Sequence, residues 1–453
     1  MNTPRVTIAA SLASAALLLL AAAPAPAAST FAFGQPQAQS VGASGCGTNA
    51  AGEPAIHVSR ANDVIAGAEN GIGNGSVLWR GLGQLGGTSA SACSLQYRGQ
   101  PNTLAGLPFG LAGGDIDLAF ASAPNAQGNY NVYVSSLNLA SVNVATSADN
   151  GTTFSQVPVQ AGLPLDDREW IAAFGANTSL LSYHDIATSN IDVLRSDSGG
   201  GPYTEISQAI PATDYKASNN ELGNLVIDHR NLPSAGGFYA YQSFVAPSSS
   251  SGSANNEAFV AVSQDGGRSF TDRPVTCSIS ARSLDHNFPN ISVDPAGNLW
   301  YAWSDDHAVS TAVSRDHGQS WTCSPPVSTN TAQAIFPWLV ATTSGVDLVY
   351  YGSPTPAGGN QTFFVYFAQN PTSTAGGWST PEQLTAVHAG SVCESGATCS
   401  GGRQLFDDFG LDTDSQGWAH IAYSHDAPAL GGAGSYTGYA VQTGGTPLGS
   451  PNN

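Results

Sequence analysis

The sequence predicts an all-β fold, a β-propeller of four-stranded antiparallel blades, with seven blades expected and six as the alternative. Three observations carry that expectation. First, a turn spelled S-x-D-x-G-x-[ST]-[FW] occurs at Ser147–Phe154, Ser263–Phe270 and Ser314–Trp321, and a worn copy runs from Ser196 to Tyr203 with Ser198 in the Asp position. The four copies start 49, 67 and 51 residues apart, and a period near 50 marks a stacked repeat architecture. Second, the 52 Gly and 27 Pro suit many short strands and turns. Third, beyond the first 28 residues no segment keeps the 3.6-residue apolar period of an amphipathic helix.

The clearest repeat unit runs from Phe288 to Asp306. It holds two strand-like runs joined by the D-x-x-G turn Asp294–Gly297. A third strand, Thr311–Ser314, leads into the S-x-D-x-G turn, and a fourth leaves it at Trp321. That order is an antiparallel meander. The same order places unit one at 53–98, unit two at 111–160, unit three at 166–211 and unit four at 217–276. Unit five covers 285–328, unit six 333–385 and unit seven 404–445. Unit seven ends at Gly438–Gln442, one strand short. A strand in Thr30–Val41 is expected to complete it, because closure removes an open sheet edge. Six blades is the alternative because unit one lacks the Asp-type turn. Residues 53–453 thus read as one propeller domain, preceded by a lead-in over 29–52.

Residues 1–28 read as a secretory signal peptide. Arg5 supplies the positive start, Val6–Ala23 is mostly apolar, and Ala25-Pro26-Ala27 is an A-x-A cleavage site. No later run is long and apolar enough to span a bilayer. The expectation is a secreted, extracellular monomer. Charged residues are only 10% of the chain, the net charge is −19, and Lys216 is the single lysine. Nucleic acid needs clustered Lys and Arg, so it is excluded as a partner. Six cysteines in an exported chain predict disulfides. Fifteen pairings are possible and sequence alone does not choose among them. The repeat favours Cys277 with Cys323, which follow corresponding turns of successive units, and Cys393 with Cys399, which flank a short loop, leaving Cys46 with Cys93. A zinc site is the weaker alternative for want of a C-x2-C pair.

The S-x-D-x-G-x-[ST]-[FW] turn resembles the Asp box, or BNR repeat, of the sialidase-like β-propeller superfamily. The resemblance covers nearly the whole mature chain. It implies that Asp149, Asp265 and Asp316 are structural, on the face away from the ligand site. The Asp accepts hydrogen bonds from turn N–H groups, the Gly takes the left-handed conformation, and the aromatic wedges between sheets. The sequence departs from true sialidases in two respects. It has no early Arg-Ile-Pro motif, since unit one begins Glu53-Pro54-Ala55-Ile56, and it offers no recognisable Tyr–Glu nucleophile pair. The fold therefore does not by itself give the activity.

In a propeller the ligand face carries the loops leading into each innermost strand and those between second and third strands. The leading loops hold Asp167, Arg168 and Glu169 in unit three, Glu221 in unit four, Arg282, Asp285 and His286 in unit five, and Arg403, Asp407 and Asp408 in unit seven. Paired carboxylates suit general acid and nucleophile roles in glycoside hydrolysis. Asp167, Glu169, Asp285 and Asp407 are the candidate catalytic acids. Arg168, Arg282 and Arg403 are candidates to orient an anionic sugar, since guanidinium forks bind carboxylates. Glu221, His286, Asp306 and Asp408 complete the substrate-binding set. Asp185, Asp306 and Asp426 fall in register on the second-to-third strand loops and could hold a sugar or calcium; no transition-metal site is expected. The function expected is a glycoside hydrolase of sialidase-like type acting on extracellular glycan or glycoprotein. A non-catalytic propeller that binds such partners is the alternative.

Overall fold

The computed structural model describes the chain apart from residues 2–27, 37–45, 48, 71–74, 102–111, 139–140, 160–165, 286–287, 395–398, 400–403, 408, 427–434 and 453. The stretch proposed as a signal peptide lies almost wholly outside the described residues. Seven four-stranded antiparallel sheets form a ring. Blade one holds β2 (Gly52–Val58), β3 (Val64–Glu69), β4 (Ser76–Gly81) and β5 (Gln96–Gly99). Blade two holds β6 (Ala112–Phe120) to β9 (Ser155–Val157), and blade three β10 (Asp166–Phe174) to β13 (Thr204–Gln208). Blade four runs from β14 (Glu221–Ile227) to β17 (Thr271–Pro274), and blade five from β18 (Asn290–Val293) to β21 (Thr322–Cys323). Blade six runs from β22 (Gln333–Ala341) to β25 (Glu382–Ala389). Blade seven joins β26 (Gly410–Thr413), β27 (Ala419–His425) and β28 (Tyr436–Gly444) to β1 (Thr30–Gly34).

The ring closes through β1. It pairs antiparallel with β28, Phe31 opposite Gln442 and Phe33 opposite Ala440. The outermost strand of the last blade is thus the first strand of the chain. The strand is shorter than the Thr30–Val41 expectation, and residues 37–45 lie outside the described set. Three disulfides add staples: Cys46–Cys93, Cys277–Cys323 between blades four and five, and Cys393–Cys399.

The first strand of each blade is innermost. First strands of neighbouring blades contact one another around the ring, and all seven line an axial cavity of about 150 Å³. Their burial on both faces matches their apolar, β-branched sequences, such as Gln333–Ala341. Polar side chains tie them together. Asp117 accepts from Ile171 N at 2.8 Å, Asn224 from Ile291 N at 2.7 Å, Asn290 from Leu339 N at 2.8 Å, and Asp412 from Val58 N at 2.7 Å. In each case a side chain on one blade satisfies a buried backbone N–H on the next. One end of the cavity is lined by Pro451 and Asn452. Asn452 donates to Asp228 at 3.1 Å and to the Asp294 carbonyl at 3.0 Å, and its own carbonyl lies 2.8 Å from His229.

The S-x-D-x-G turns join third and fourth strands, and their hydrogen bonds repeat. Ser147 donates to Asp149 at 2.6 Å, and Gly151 N donates back to Ser147 at 2.9 Å. Asp149 also accepts from Thr153 N at 2.8 Å and from the Thr153 hydroxyl at 2.7 Å. Asp265 and Asp316 make the same set with Ser263 and Ser269, and with Ser314 and Ser320. The sequence alone did not show what each turn does for its neighbour. An arginine on the preceding blade donates to the turn: Arg80 to the Asn150 carbonyl at 2.8 Å, Arg195 to Gly266 at 2.7 Å, and Arg273 to His317 at 2.5 Å.

The glycine beside that carbonyl packs on the same preceding blade. At Gly318 (φ +82°) an added Cβ would lie 2.9 Å from Val260. Gly318→Ala is therefore expected to cost about 1–3 kcal/mol in denaturant unfolding, from left-handed strain and the clash. Gly175→Ala (φ +61°), with nothing within 4 Å of its added Cβ, keeps only the strain and costs about 1 kcal/mol. Equal costs at the two sites would contradict the inter-blade role.

Candidate functional site

Backbone irregularities place the charges. β2, β6, β10, β14 and β22 each carry a register shift near the start, at Gly52/Ala55, Ala112/Ile116, Asp167/Glu169, Leu222/Leu225 and Ile335/Trp338. A bulge re-aims side chains and bends the strand. Glu53 (φ 52°), Arg168 (φ 40°) and Phe336 (φ 55°) occupy the left-handed region at these bulges, a costly conformation for residues with a Cβ. These three bulges lie at the end of the axis opposite the S-x-D-x-G turns, which hold left-handed residues of their own at Asn150 and His317.

One side of this end is charged. Arg168 is only 2% exposed; its guanidinium lies 3.4 Å from the Glu53 carboxyl and 4.0 Å above the Trp170 ring, with Phe288 at 4.9 Å. Glu53 and Glu169 are fully buried, and Glu69, Asp115 and Asp117 nearly so. Burial drives the Glu169 pKa well up, and the charges of Asp115 and Asp117 add to this against the opposing pull of Arg168. Glu221 is half-buried at the surface of the same cluster. Burial, then the charges of Asp285, Asp167 and Asp115, push its pKa up to about 8 despite Arg168. The other side is aromatic: Phe336 packs edge-on against Tyr351, which stacks on Phe409 at 4.1 Å.

Deeper on the axis, His57 lies 3.8 Å from Asp117 and 3.4 Å from Asp412. Burial opposes its charge, but hydrogen bonding and attraction to these two carboxylates prevail and hold its pKa up to about 10.

The structure brings Asp167, Arg168, Glu169, Glu221 and Asp285 into one electrostatic neighbourhood spanning three blades. Asp167 and Asp285 are exposed; Asp285 accepts from the Ser283 hydroxyl at 2.5 Å. Arg282 is exposed on the Asp285 loop and Asp407 is half-buried before blade seven. Arg403, His286 and Asp408 lie outside the described residues. Asp306 accepts from Gln333 at 2.5 Å at the junction of blades five and six. Asp185 accepts from the Ala187 N and the Thr188 hydroxyl of its own turn, and Asp426 pairs with His388 at 2.8 Å. The carboxyls of these three loops are thus held by local partners.

Sequence reasoning missed Glu69 and Asp115, and saw Glu53 only as a residue standing where an arginine was sought. A signal was available. With charges at 10% of the chain, an acid at the lip of a strand such as Gly114-Asp115 or Ala68-Glu69 stands out.

These shifts set the response to pH. Glu221 at about 8, Asp272 at about 7 and Asp347 at about 7 are raised chiefly by burial, so the folded chain holds protons that the unfolded chain releases near pH 4. Their contribution falls as pH rises from about 4 to 8. His57 contributes fully below 6.5 and loses its contribution as pH rises through about 10. Asp149 is partly buried, but hydrogen bonds led by that from Ser147 lower it to about 2, and its contribution disappears on acidification below about pH 4. Denaturant unfolding across pH 3 to 10 should show greatest stability near pH 4–5 and a decline toward alkali. Glu221→Gln and Asp347→Asn should flatten that decline. A maximum at pH 8 would contradict it.

No family model matches the chain, and no curated protein matches it. Solved structures do. The chain is similar to a GH74 xyloglucanase from Xanthomonas campestris, with TM-score 0.51 and 14% identity over 88% of this chain and 55% of that one. It is also similar to the α-L-arabinofuranosidase Arb93A from Fusarium graminearum (TM-score 0.48, 11% identity, 92% and 98% coverage). A Dyadobacter fermentans protein of unknown function gives TM-score 0.44 and 12% identity, with 91% and 97% coverage. At 14% identity the likeness to the xyloglucanase bears on the fold alone.

Proposed function

We propose that the chain is a secreted propeller that hydrolyses an exposed glycan at the charged end of its axis, with Glu221 as general acid and Asp285 as its carboxylate partner. The observation that carries this reading is the contrast within one cluster. Glu221 holds its proton to about pH 8 at a half-buried position, while the charge that raises it most is that of Asp285, exposed on the next blade. Glycoside hydrolysis needs one carboxyl that donates a proton to the leaving oxygen and one carboxylate that stabilises or attacks the sugar, or activates water. Asp167 is a second exposed acid beside them.

Glu169 is too deeply buried to touch a sugar and supports the site electrostatically. Arg168 is committed to Glu53, Trp170 and Phe288, which argues for a neutral sugar rather than an anionic one. The repeated Ser–Asp–Gly hydrogen bonds support reading the turns at Asp149, Asp265 and Asp316 as Asp boxes of the sialidase-like superfamily. Three disulfides suit an oxidising compartment.

A panel of fluorogenic glycosides, with neutral pentosides and hexosides and a sialoside, tests the reading. Turnover of a neutral member is expected, with kcat reduced roughly 10²- to 10⁴-fold by Glu221→Gln and by Asp285→Asn. Asp316→Asn, on the opposite end, should retain the wild-type kcat. Unchanged turnover in both site variants would sink the assignment. Absence of turnover on every glycoside would favour the alternative, a propeller that binds glycan or protein without catalysis.

A further inference from the structure

We infer that Glu53, Glu69 and Asp115 form a binding site for a hard divalent cation, with calcium the preferred ion. The site does not depend on the hydrolase reading.

The three carboxyls come from three strands but face one point. Glu53 sits at the bulge of β2 in the left-handed conformation, and its backbone N–H is held by Ser424 at 2.9 Å. Glu69 ends β3, directly opposite Gly52 in the ladder. Asp115 follows Gly114 (φ 133°) at the bulge of β6 on the next blade. All three are buried, and one oxygen from each lies within 4.8 Å of the others. Calcium binds oxygen at about 2.3–2.6 Å, so two oxygens on one ion lie no more than about 5 Å apart. The observed spread fits inside that limit.

Glu169 is 0% exposed, both of its carboxyl oxygens are buried without a hydrogen-bond partner, and the charge acting on it most strongly is that of Asp115. A buried carboxyl left in this state is costly unless something supplies positive charge or protons. Four carboxyls crowd this corner. Among the described residues, the guanidinium placed against them is that of Arg168, 3.4 Å from Glu53. A divalent cation held by Glu53, Glu69 and Asp115 would offset the excess negative charge that acts on Glu169. The all-oxygen donor set selects a hard ion over zinc or copper.

Isothermal titration of EDTA-stripped full-length protein with CaCl₂ at pH 7 tests this. One site per chain is expected, with Kd of about 10⁻³ M or tighter, and a higher Tm in calcium than in EDTA. Glu69→Gln and Asp115→Asn, each checked for β-structure by circular dichroism, should weaken binding at least 10-fold. Asp197→Asn, an exposed control elsewhere, should bind as wild type. MgCl₂ should bind more weakly. Absence of calcium binding by the wild type would overturn the proposal, leaving protons to balance the charge. Calcium binding of equal affinity in both variants would overturn it too, by placing the ion elsewhere.

Discussion

Seven strands converge on one axis in this molecule, and the backbone between them has little access to water. That constraint organises the rest. Each innermost strand must satisfy its N–H groups within the ring, and the chain does so with Asp and Asn side chains that reach from one blade to the next. The same need for inter-blade acceptors appears at the periphery, where Arg80, Arg195 and Arg273 each donate to a turn on the following blade. A propeller has no central slab of core; its stability is a sum of such blade-to-blade contacts plus the apolar layers between sheets. The pairing of β1 with β28 completes that sum by covering the edge of β28 and giving the last blade its fourth strand.

The charged end of the axis follows from how these strands begin. Bulges at their starts break the alternation that would hold polar groups out of the ring, and they turn Glu53, Asp115, Arg168 and Glu169 inward. Burial then does two things to the carboxyls. It makes their charge costly, which is why Glu169 and Glu221 resist ionisation. It also strengthens each electrostatic contact they make. A mouth with a protonated acid beside exposed acids, and a deeper pocket of carboxyl oxygens, is what catalysis or cation binding requires. The opposite end carries the tight S-x-D-x-G turns, whose carboxylates are spent on backbone N–H groups. The two ends differ because the turn acids are capped by N–H and hydroxyl donors of their own turns, whereas Glu53, Glu69, Asp115 and Glu169 are buried together.

Most of the fold was legible in the sequence because the repeat carries its own ruler. Ser147, Ser263 and Ser314 fix the phase, and Asp294–Gly297 marks the first hairpin within a unit. The closing role of the N-terminal strand followed from a missing fourth strand after Gln442. The site was legible only in part. Asp167, Glu221 and Asp285 could be found because they lie at or just before the starts of strands of known phase. Glu69 and Asp115 could not be joined to Glu53, since their meeting depends on two bulges and on the stacking of blade two against blade one. Arg168 read as an exposed ligand for an anion; its burial between Trp170 and Phe288 follows from a left-handed backbone that no local spelling announces. Gln333, which donates to Asp306, and His388, which pairs with Asp426, likewise come from a neighbouring blade.

The account turns on Glu221 keeping its proton at neutral pH. A carbon-13 NMR titration of the glutamate side-chain carboxyls, with the signal assigned by its loss in Glu221→Gln, measures this directly. The account predicts a midpoint at about 8. A midpoint near the ordinary glutamate value, about 4.3, would contradict it.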